Sequence, residues 1–280
     1  MRLIHNEGGS VDRLRLVKLA FLLSRESAAP KTGVYDFVPY KRGPFSFTLY
    51  HELRSLQRDG WLLEGEHDIT TAEAPDLEIA FLDREFLGLI DGISDSKHAV
   101  RTPALVASIY RAYPWFTLNS EAIRKRAVTR PINTPAVYTV GYEGITVDGL
   151  LDLLLRNGMR RLIDVRCNPI ARRYGFHKET LRRLCADVDI EYLHMGALGV
   201  PSAWRADLSD EASYARLFER YDHEILPAQE VAVDKAGALI SEMPSALMCM
   251  EANHHCCHRS RLGAEIARRI SLPVKEQREM

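Results

Sequence analysis

The stretch that decides the fold of the C-terminal half is residues 246–262, ALMCMEANHHCCHRSRL, which holds three of the five cysteines of the chain. It opens with a short apolar run, residues 246–250, of the kind that forms a buried strand. Leu262, Ile266 and Ile270 then follow at the spacing of an amphipathic helix. The polar residues between these elements are therefore predicted to lie in a strand-to-helix turn. In an open α/β sheet, such a turn lies at the carboxyl edge, where ligands bind.

Strand and helix patterns alternate along the chain that leads to this stretch. They are predicted in turn at residues 136–141, 147–156, 161–166, 178–186, 190–194 and 210–238. Repeated strand–helix units with right-handed crossovers predict a three-layer α/β domain with a mainly parallel sheet. We expect the first two of these strands to form a parallel pair.

The N-terminal half has a different order of elements. Residues 11–25 have helical spacing with Ser10 as the expected N-cap, and residues 34–40 read as extended. Ser46 is predicted to cap a second helix that ends at Arg58, after which come two short extended runs, residues 61–64 and 77–81. Helix, extended segment, helix and β-ribbon form the outline of a winged helix, a mainly α-helical domain.

Residues 35–46, YDFVPYKRGPFS, also resemble a segment of small prokaryotic winged-helix modules, antitoxin-like ones among them. If the resemblance extends to function, basic side chains at the second helix would contact phosphates and base edges of nucleic acid. These candidates are Lys41, Arg42, Arg54 and Arg58. The alternative is that they form the ordinary solvated face of a structural or protein-binding module.

The boundary between the two halves is predicted near residues 127–135. A helical stretch at residues 99–126, expected to break at Pro114, precedes the proline-rich segment 130–135, RPINTP, which reads as a stiff linker. We therefore predict a winged-helix-like domain with a helical extension at residues 1–130 and an α/β domain at residues 136–280.

Composition limits the classes of function. The chain of 280 residues is 46% hydrophobic and has a formal net charge of −1, so it can bury a core but lacks the basic excess of many nucleic-acid binders. An odd number of cysteines disfavours a disulfide scaffold. Residues 1–10 contain no apolar signal segment, and no run is long enough to span a bilayer. We expect a cytoplasmic protein with reduced thiols and no membrane partner; the sequence does not indicate an oligomeric state.

Four ordered motifs in the second half resemble the domain-of-unknown-function 488 family. They are Thr139-Val140-Gly141-Tyr142-Glu143-Gly144, Asp164-Val165-Arg166 with Pro169 and Arg172-Arg173, His194 with Leu198-Gly199, and Cys249-Met250-Glu251 with Cys257-His258-Arg259. The resemblance spans residues 136–270. Family members commonly have Gly-His-Ser where this chain has Gly141-Tyr142-Glu143. The name of the family records that its activity is not established, so the resemblance implies a fold and a site rather than a reaction.

Each motif lies at or just beyond the carboxyl end of a predicted strand, so the side chains are expected to converge on one rim. The residues expected to bind the substrate, through its phosphate or through the groups next to that phosphate, are Arg166, Arg172, Arg259, His194 and Tyr142. Glu251 and His258 are expected to transfer protons. This first interpretation needs no cofactor and no metal ion, and we predict neither.

Two other interpretations of the cluster remain open. In one, Cys257 is a catalytic thiolate whose pKa is lowered by the helix N-terminus, His258 and Arg259. In the other, zinc is bound by ligands drawn from Cys249, His254, Cys256, Cys257 and His258, although Cys249-x6-Cys256 and an adjacent Cys-Cys-His are not usual ligand spacings. Cys249 itself, on an apolar strand, is expected to be a small buried hydrophobe.

The sequence thus leaves more than one class of function open. The α/β domain is expected to process a nucleotide or nucleic acid, while the winged helix binds nucleic acid, with DNA favoured over RNA. Alternatively, the protein is a DNA-binding regulator whose α/β domain senses a small anionic ligand, or an antitoxin-like adaptor. A sensor would need the arginines but not the pair Glu251 and His258.

Overall fold

The chain divides into two compact units. In the computed structural model these are Met1–Thr129 and Arg130–Met280. The structure describes residues 1–26, 35–72, 84–123, 128–205, 208 and 210–277. The predicted strand at residues 77–81 and the end of the predicted helix at residues 124–126 lie outside these residues. Within the described ranges, no helix is long and apolar enough to cross a lipid bilayer.

Helices build most of the N-terminal unit. They are α1 (Arg2–Asn6), α2 (Arg13–Glu26), α3 (Phe47–Arg58), α4 (Arg84–Lys97), α5 (Thr102–Ala112) and a 3₁₀ turn at Pro114–Thr117. Pro114 thus ends the helical stretch, as predicted. The buried face of α2 lies at the centre of the unit, where the ring of Phe21 makes edge contacts with Phe37 and Phe116 at centroid distances of 5.2 and 4.7 Å.

Short antiparallel strands complete the N-terminal unit. The strands are β1 (Ser10–Asp12), β2 (Val38–Tyr40), β3 (Gly43–Phe45), β4 (Leu62–Glu64) and β5 (Asp68–Thr71). β2 and β3 form a hairpin, and β1, β5 and β4 form a three-stranded sheet in that order. The partner of β4 among the described residues is therefore Asp68–Thr71, a strand that was not predicted. β5 was not predicted, because its other residues are polar and only Ile69 of this strand is buried.

Helices α2 and α3 begin with side-chain caps. Ser46 accepts a hydrogen bond on Oγ from the backbone N–H of Leu49 at 3.2 Å, as predicted. For α2 the predicted cap is wrong. Ser10 lies in β1, and it is Asp12 whose Oδ1 accepts a hydrogen bond from the backbone N–H of Arg15 at 2.9 Å.

A five-stranded sheet forms the centre of the C-terminal unit, and every pair of neighbouring strands in it is parallel. The strands are β6 (Val137–Gly141), β7 (Arg161–Asp164), β8 (Glu191–His194), β9 (Ser245–Cys249) and β10 (Val274–Gln277), in the order β10-β6-β9-β7-β8. The predicted parallel sheet is confirmed. The predicted pairing of the first two strands is wrong, because β9 lies between β6 and β7, and the edge strand β10 was not predicted.

Helices cover both faces of this sheet. They are α6 (Val147–Arg156), α7 (Lys178–Asp187), α8 (Glu211–Arg220), a π-helical turn at Tyr221–Ile225, α9 (Leu226–Ala228), α10 (Glu230–Glu242) and α11 (Arg259–Ile270). One face packs against α8, α10 and α11 through a core that includes Ile163, Leu247 and Cys249. α6 and α7 cover the other face. The predicted three-layer α/β architecture is therefore confirmed.

Residues 130–135, predicted as a linker, pack against the C-terminal unit. Arg130 donates hydrogen bonds to the backbone carbonyls of Asp189, at 2.7 Å, and of Met159. Asn133 donates to the carbonyl of Asn157 at 2.7 Å and accepts from the hydroxyl of Tyr138 at 2.6 Å. This segment is therefore part of the C-terminal unit.

Candidate functional site

The central position of β9 determines which loops meet at the carboxyl edge of the sheet. Cys249, its last residue, is in register with Gly141 of β6, and Met248 is in register with Asp164 of β7. The loops that follow β6, β7 and β9 therefore start side by side. Three of the four sequence motifs come together at this edge, while the motif at His194 lies one strand further away, on β8.

Gly141 allows the loop after β9 to cross close to β6. A Cβ atom on this residue would lie 2.0 Å from the backbone oxygen of Glu251, which is too close for any side chain. The backbone N–H groups of Tyr142 and Glu143 then donate to the carbonyl of Met250, at 3.1 and 2.9 Å. The loop that carries Glu251 is thus fixed against the loop after β6.

Four side chains from this edge form one cluster, which we call the cysteine centre: Cys249, Glu251, Cys257 and His258. The sulfur of Cys249 lies 3.3 Å from Oε2 of Glu251 and 3.8 Å from Nδ1 of His258. The ligand atoms of Cys249, Cys257 and His258 all lie within 4.8 Å of one another. Cys249, Cys257 and His258 are buried, whereas the side chain of Glu251 is 23% exposed. Glu251 is therefore the member through which the centre reaches solvent.

The two thiols of the centre differ in acidity. The pKa of Cys249 lies well below its ordinary value, because Cys257 hydrogen-bonds to its sulfur and because His258 and Arg205 favour the thiolate, although burial opposes the shift. Burial and the neighbouring Cys249 raise the pKa of Cys257 well above its ordinary value. The thiol of low pKa is therefore Cys249. The interpretation of Cys257 as the activated thiolate does not fit this environment.

The carboxyl group of Glu251 has a raised pKa. Burial is the main cause, and the negative charge of Cys249 adds to it. Oε1 of Glu251 accepts a hydrogen bond from Nη1 of Arg205 at 3.2 Å. Arg205 was not predicted from the sequence, since it lies in a segment without a recognisable motif, 46 residues before its partner.

His258 is held in one orientation behind the sulfur of Cys249. Its Nε2 lies 3.2 Å from the backbone oxygen of Val165, an atom that can only accept, so Nε2 carries a proton. In the neutral imidazole, Nδ1 then has a lone pair directed to the centre. The ring of Tyr221, in the π-helical turn, packs against the imidazole at a centroid distance of 5.4 Å.

Arg259 contacts the backbone of the loop that carries Glu251 and does not face an open space for a ligand. Its side chain is fully buried and donates to the backbone oxygens of Glu251 and Ala252, the latter at 3.1 Å. It also lies 3.4 Å from Oε1 of Glu276 on β10. The expected role of Arg259 in phosphate binding does not fit these contacts, because its guanidinium fixes the loop that carries Glu251.

Arg166 is also engaged within the protein. Its guanidinium forms a bidentate ion pair with Asp164, with distances of 2.8 and 2.6 Å. It also donates to the hydroxyl of Tyr142 and to the carbonyl of Phe176, each at 3.0 Å. Tyr192 donates to the same carboxylate at 2.6 Å. Arg166 is 5% exposed. It thus has the contacts of a buried structural ion pair, and Tyr142 is part of that network.

The remaining predicted substrate-binding residues lie apart from the cysteine centre. His194 donates from Nε2 to the backbone oxygen of Arg166 at 2.9 Å, at the end of β8. Arg172 is exposed in the loop between β7 and α7. Of the further zinc-ligand candidates, His254 pairs with Glu276 at 3.0 Å, and Cys256 is outside the cluster of potential ligand atoms found among the described residues.

Cys249 was underestimated at the sequence level. It is buried, as predicted, but its sulfur contacts Glu251 and His258 and so is more than a small hydrophobe. β9 ends at Cys249 and the chain bends at residue 250, so the strand pattern alone does not place Glu251 beside Cys249.

The basic candidates of the N-terminal unit are all exposed. Arg54 and Arg58 lie on α3, and Lys41 and Arg42 lie in the turn of the β2–β3 hairpin. Nζ of Lys41 is 3.5 Å from Glu121, and Arg58 is 3.6 Å from Asp59. These surface ion pairs contribute little to stability and leave the cations accessible to a partner.

Comparison with protein families gives one match. Residues 146–266 match the family model described as domain of unknown function DUF488. No curated protein and no solved structure matches the chain. The matched residues begin at the N-cap of α6 and end within α11, so they include Cys249, Glu251, Cys257 and His258. The DUF488 family model therefore matches most of the α/β domain of the C-terminal unit, and the chain is similar to that family over these residues.

Proposed function

We propose that the C-terminal unit is an enzyme that processes a nucleotide or a nucleic acid at the cysteine centre, and that the N-terminal unit binds nucleic acid. The observation that carries this proposal is the convergence of Cys249, Glu251, Cys257 and His258 from a strand end and a helix start. Thiol, imidazole and carboxylate groups in one partly open cluster are the usual components of nucleophilic and proton-transfer chemistry.

The contacts of the arginines favour an enzyme over a sensor of anions. A sensor would use Arg166 and Arg259 to hold its ligand, yet both are buried and bonded to groups of the protein itself. What the edge of the sheet presents to solvent is the carboxylate of Glu251 with its partner Arg205. We assign proton transfer to Glu251 and substrate contact to Arg205.

The arrangement of the N-terminal unit supports the nucleic-acid part of the proposal. The chain order β1, α2, α3, β4, β5 and the sheet order β1-β5-β4 suit a winged helix, with β4 and β5 as the wing. The β2–β3 hairpin takes the place of the usual turn between the two helices. The exposed Arg54 and Arg58 on α3, with Lys41 and Arg42, would contact phosphates. DNA is the favoured partner, because the second helix of such modules reads the major groove.

The enzyme is tested by incubating the full-length protein with nucleotides and with single- and double-stranded DNA and RNA oligonucleotides, followed by mass spectrometry of the products. We expect a change of mass in one class of substrate. Glu251→Gln keeps the shape of the site and removes the charge, and should lower turnover by roughly 10²–10⁴-fold. The matched control is Cys167→Ser, an exposed cysteine outside the centre, which should keep full turnover.

Equal turnover in Glu251→Gln and in the unchanged protein would count against proton transfer by Glu251. A different pair of results would count against the enzyme itself. The first is no change of mass in any substrate class, and the second is stoichiometric binding of a nucleotide without any chemical change, combined with ligand-dependent DNA affinity. The second result would identify the protein as a ligand-sensing regulator.

Binding by the N-terminal unit is tested by measuring affinity for a generic DNA duplex over a series of salt concentrations. Replacing both Arg54 and Arg58 by Ala should weaken binding and reduce the salt slope by about one unit per lost phosphate contact. The control is the double change Arg84→Ala and Arg111→Ala, which removes the same charge from exposed positions on α4 and α5. If both double variants bind alike, the effect is one of net charge, and α3 is better assigned to a protein partner.

A further inference from the structure

Three side chains of the cysteine centre meet the geometric requirements of a metal site. One ligand atom from each of Cys249, Cys257 and His258 lies within 4.8 Å of the other two. In a tetrahedral zinc site, bond lengths of about 2.3 Å to sulfur and 2.0–2.1 Å to nitrogen place neighbouring ligand atoms about 3.6–3.8 Å apart. The separation of Cys249 Sγ and His258 Nδ1 is 3.8 Å. This pair of atoms therefore has the spacing of two ligands around one ion, and Cys257 contributes a third ligand atom within 4.8 Å of the others.

His258 is also oriented as metal-bound histidines are. Such histidines donate their second ring N–H to a carboxylate or a backbone carbonyl, which fixes the tautomer and the ring plane. Nε2 of His258 faces the backbone oxygen of Val165 at 3.2 Å. Nδ1 is thereby left with its lone pair towards the two sulfurs, and Tyr221 covers one side of the ring.

The backbone explains how adjacent residues can direct ligands to one point. Cys257 is extended, with φ −133° and ψ 133°, whereas His258 has helical angles, φ −57° and ψ −20°. The change of conformation between them turns both side chains to the same side, under the end of β9. The unusual spacing of the sequence, which argued against a metal, therefore does not prevent these residues from meeting.

We propose that Cys249, Cys257 and His258 bind one zinc ion, with a fourth position open towards Glu251. Two thiolates and an imidazole are ligands that select zinc over hard cations such as magnesium and calcium. Two buried thiolates would also neutralise the charge of a divalent ion, so the site would carry no net charge in an apolar core. Cys249 and Cys257 belong to that core, together with Val165 and Leu198.

The fourth position decides what kind of zinc site this is. Structural sites use four protein ligands, whereas catalytic sites use three and keep one position for water or substrate. The carboxylate of Glu251 lies 3.3 Å from Cys249 Sγ, is paired with Arg205, and is the partly exposed member of the centre. We assign it a place beside the open position. This inference rests on the proposed function only in naming the cysteine centre as the place of the chemistry.

The first test measures metal in the full-length protein without an activity assay. Protein purified under reducing conditions is expected to contain about one zinc ion per chain by elemental mass spectrometry. After removal with a chelator, Co²⁺ should bind with equal stoichiometry. Its spectrum should show the intense thiolate-to-cobalt bands and the visible bands of tetrahedral coordination. A protein that contains no zinc and whose Co²⁺ titration shows no thiolate bands would overturn the inference.

The second test compares variants of the three proposed ligands with variants of neighbouring residues of the same type. Cys249→Ser, Cys257→Ser and His258→Gln should each abolish stoichiometric Co²⁺ binding. The neighbouring changes Cys256→Ser and His255→Gln remove the same groups outside the cluster and should keep it. Loss of binding in the neighbours with retention in the three predicted ligands would contradict the assignment. If a ligand variant does not fold, X-ray absorption of the unchanged protein still tests the site, with two sulfurs and one imidazole expected around the metal.

The metal site and the proposed function can fail separately. Zinc bound by these three residues in a protein that transforms no nucleotide or nucleic acid would support the site and refute the enzyme. Turnover that depends on Glu251 in a protein free of zinc, and unaffected by added chelator, would support the enzyme and refute the metal site.

Discussion

Lys18 is buried in α2, with 1% of its surface exposed. Its Nζ donates to the carbonyl of Pro44 at 2.8 Å. Burial, with a contribution from the nearby charge of Arg42, lowers the pKa of Lys18 to about 7. Between pH 7 and about 10 the unfolded chain therefore binds more protons than the folded one. The free energy of unfolding of the N-terminal unit should rise with pH over this range.

Replacing Lys18 by Met should remove this dependence, because Met fills similar space and does not titrate. One proton contributes up to about 1.4 kcal/mol per pH unit. Between pH 7.5 and 9.5, the free energy of unfolding of the unchanged protein should therefore rise by roughly 2–3 kcal/mol relative to that of Lys18→Met. Urea unfolding at several pH values measures it. Lys41→Met, at an exposed lysine, is the control and should keep the original slope; parallel curves for all three proteins would contradict the prediction.

Arg166 gives a prediction about stability rather than substrate binding. Arg166→Ala should destabilise the C-terminal unit by about 3–5 kcal/mol, since it leaves the buried carboxylate of Asp164 without its ion pair. Chemical denaturation followed by circular dichroism measures the loss.

Arg172→Ala provides the comparison for Arg166→Ala. Arg172 belongs to the same sequence motif but is exposed, so its replacement should change the free energy of unfolding by no more than about 0.5 kcal/mol. Equal stability of the two variants would show that the pair of Arg166 and Asp164 is not a structural element.

At the scale of single elements, the start of α2 offers a direct comparison of two candidate caps. Asp12→Ala should cost about 1 kcal/mol, because the backbone N–H of Arg15 loses its acceptor. Ser10→Ala removes an exposed hydroxyl that bonds to Thr70 in the sheet, and should cost less than about 0.5 kcal/mol. Thermal unfolding of both variants decides between them, and a larger loss in Ser10→Ala would restore the cap predicted from the sequence.

Two strands that were not predicted from the sequence, β5 and β10, were missed for the same reason. β5 and β10 were missed because each has a single buried residue, Ile69 and Gln277, so neither has the apolar alternation that marks a strand. Both are defined by the neighbours with which they pair. Helices α3 and α6 were predicted with correct ends, because Ser46 and Thr146 cap them and each has a strongly amphipathic sequence.

At the scale of the whole molecule, the start of the C-terminal unit can be tested with fragments. A fragment of residues 130–280 should unfold cooperatively. A fragment of residues 136–280 should be less stable by about 2–4 kcal/mol. It lacks the hydrogen bonds that Arg130 and Asn133 donate, and it leaves the buried hydroxyl of Tyr138 without its acceptors, Oδ1 of Asn133 and the carbonyl of Thr134.

Chemical denaturation of the two fragments gives the comparison. Equal stability would mean that residues 130–135 are a linker, as the sequence suggested. A 130–280 fragment without a cooperative transition would mean that this unit does not fold by itself.

Local patterns in the sequence predict most of the helices, the central strands of the C-terminal sheet and the class of fold in which they assemble. The alternation of apolar runs with amphipathic helices predicts parallel strands, and the polar residues after each strand predict a site at one edge of the sheet. These properties depend on residues close together in the chain. The presence of Cys249, Glu251, Cys257 and His258 at that edge followed for the same reason.

The order of the strands and the contacts of each polar group depend on packing between segments that are far apart in the chain. β9 lies between β6 and β7, an order that depends on the packing of the whole sheet and not on local periodicity. The fold also places Tyr142 beside Arg166 and Arg205 beside Glu251, and it buries Arg259 under the loop that carries Glu251. An arginine in a motif has the same appearance whether it binds a ligand or a buried carboxylate. The difference is set by partners distant in sequence, which the fold alone brings into contact.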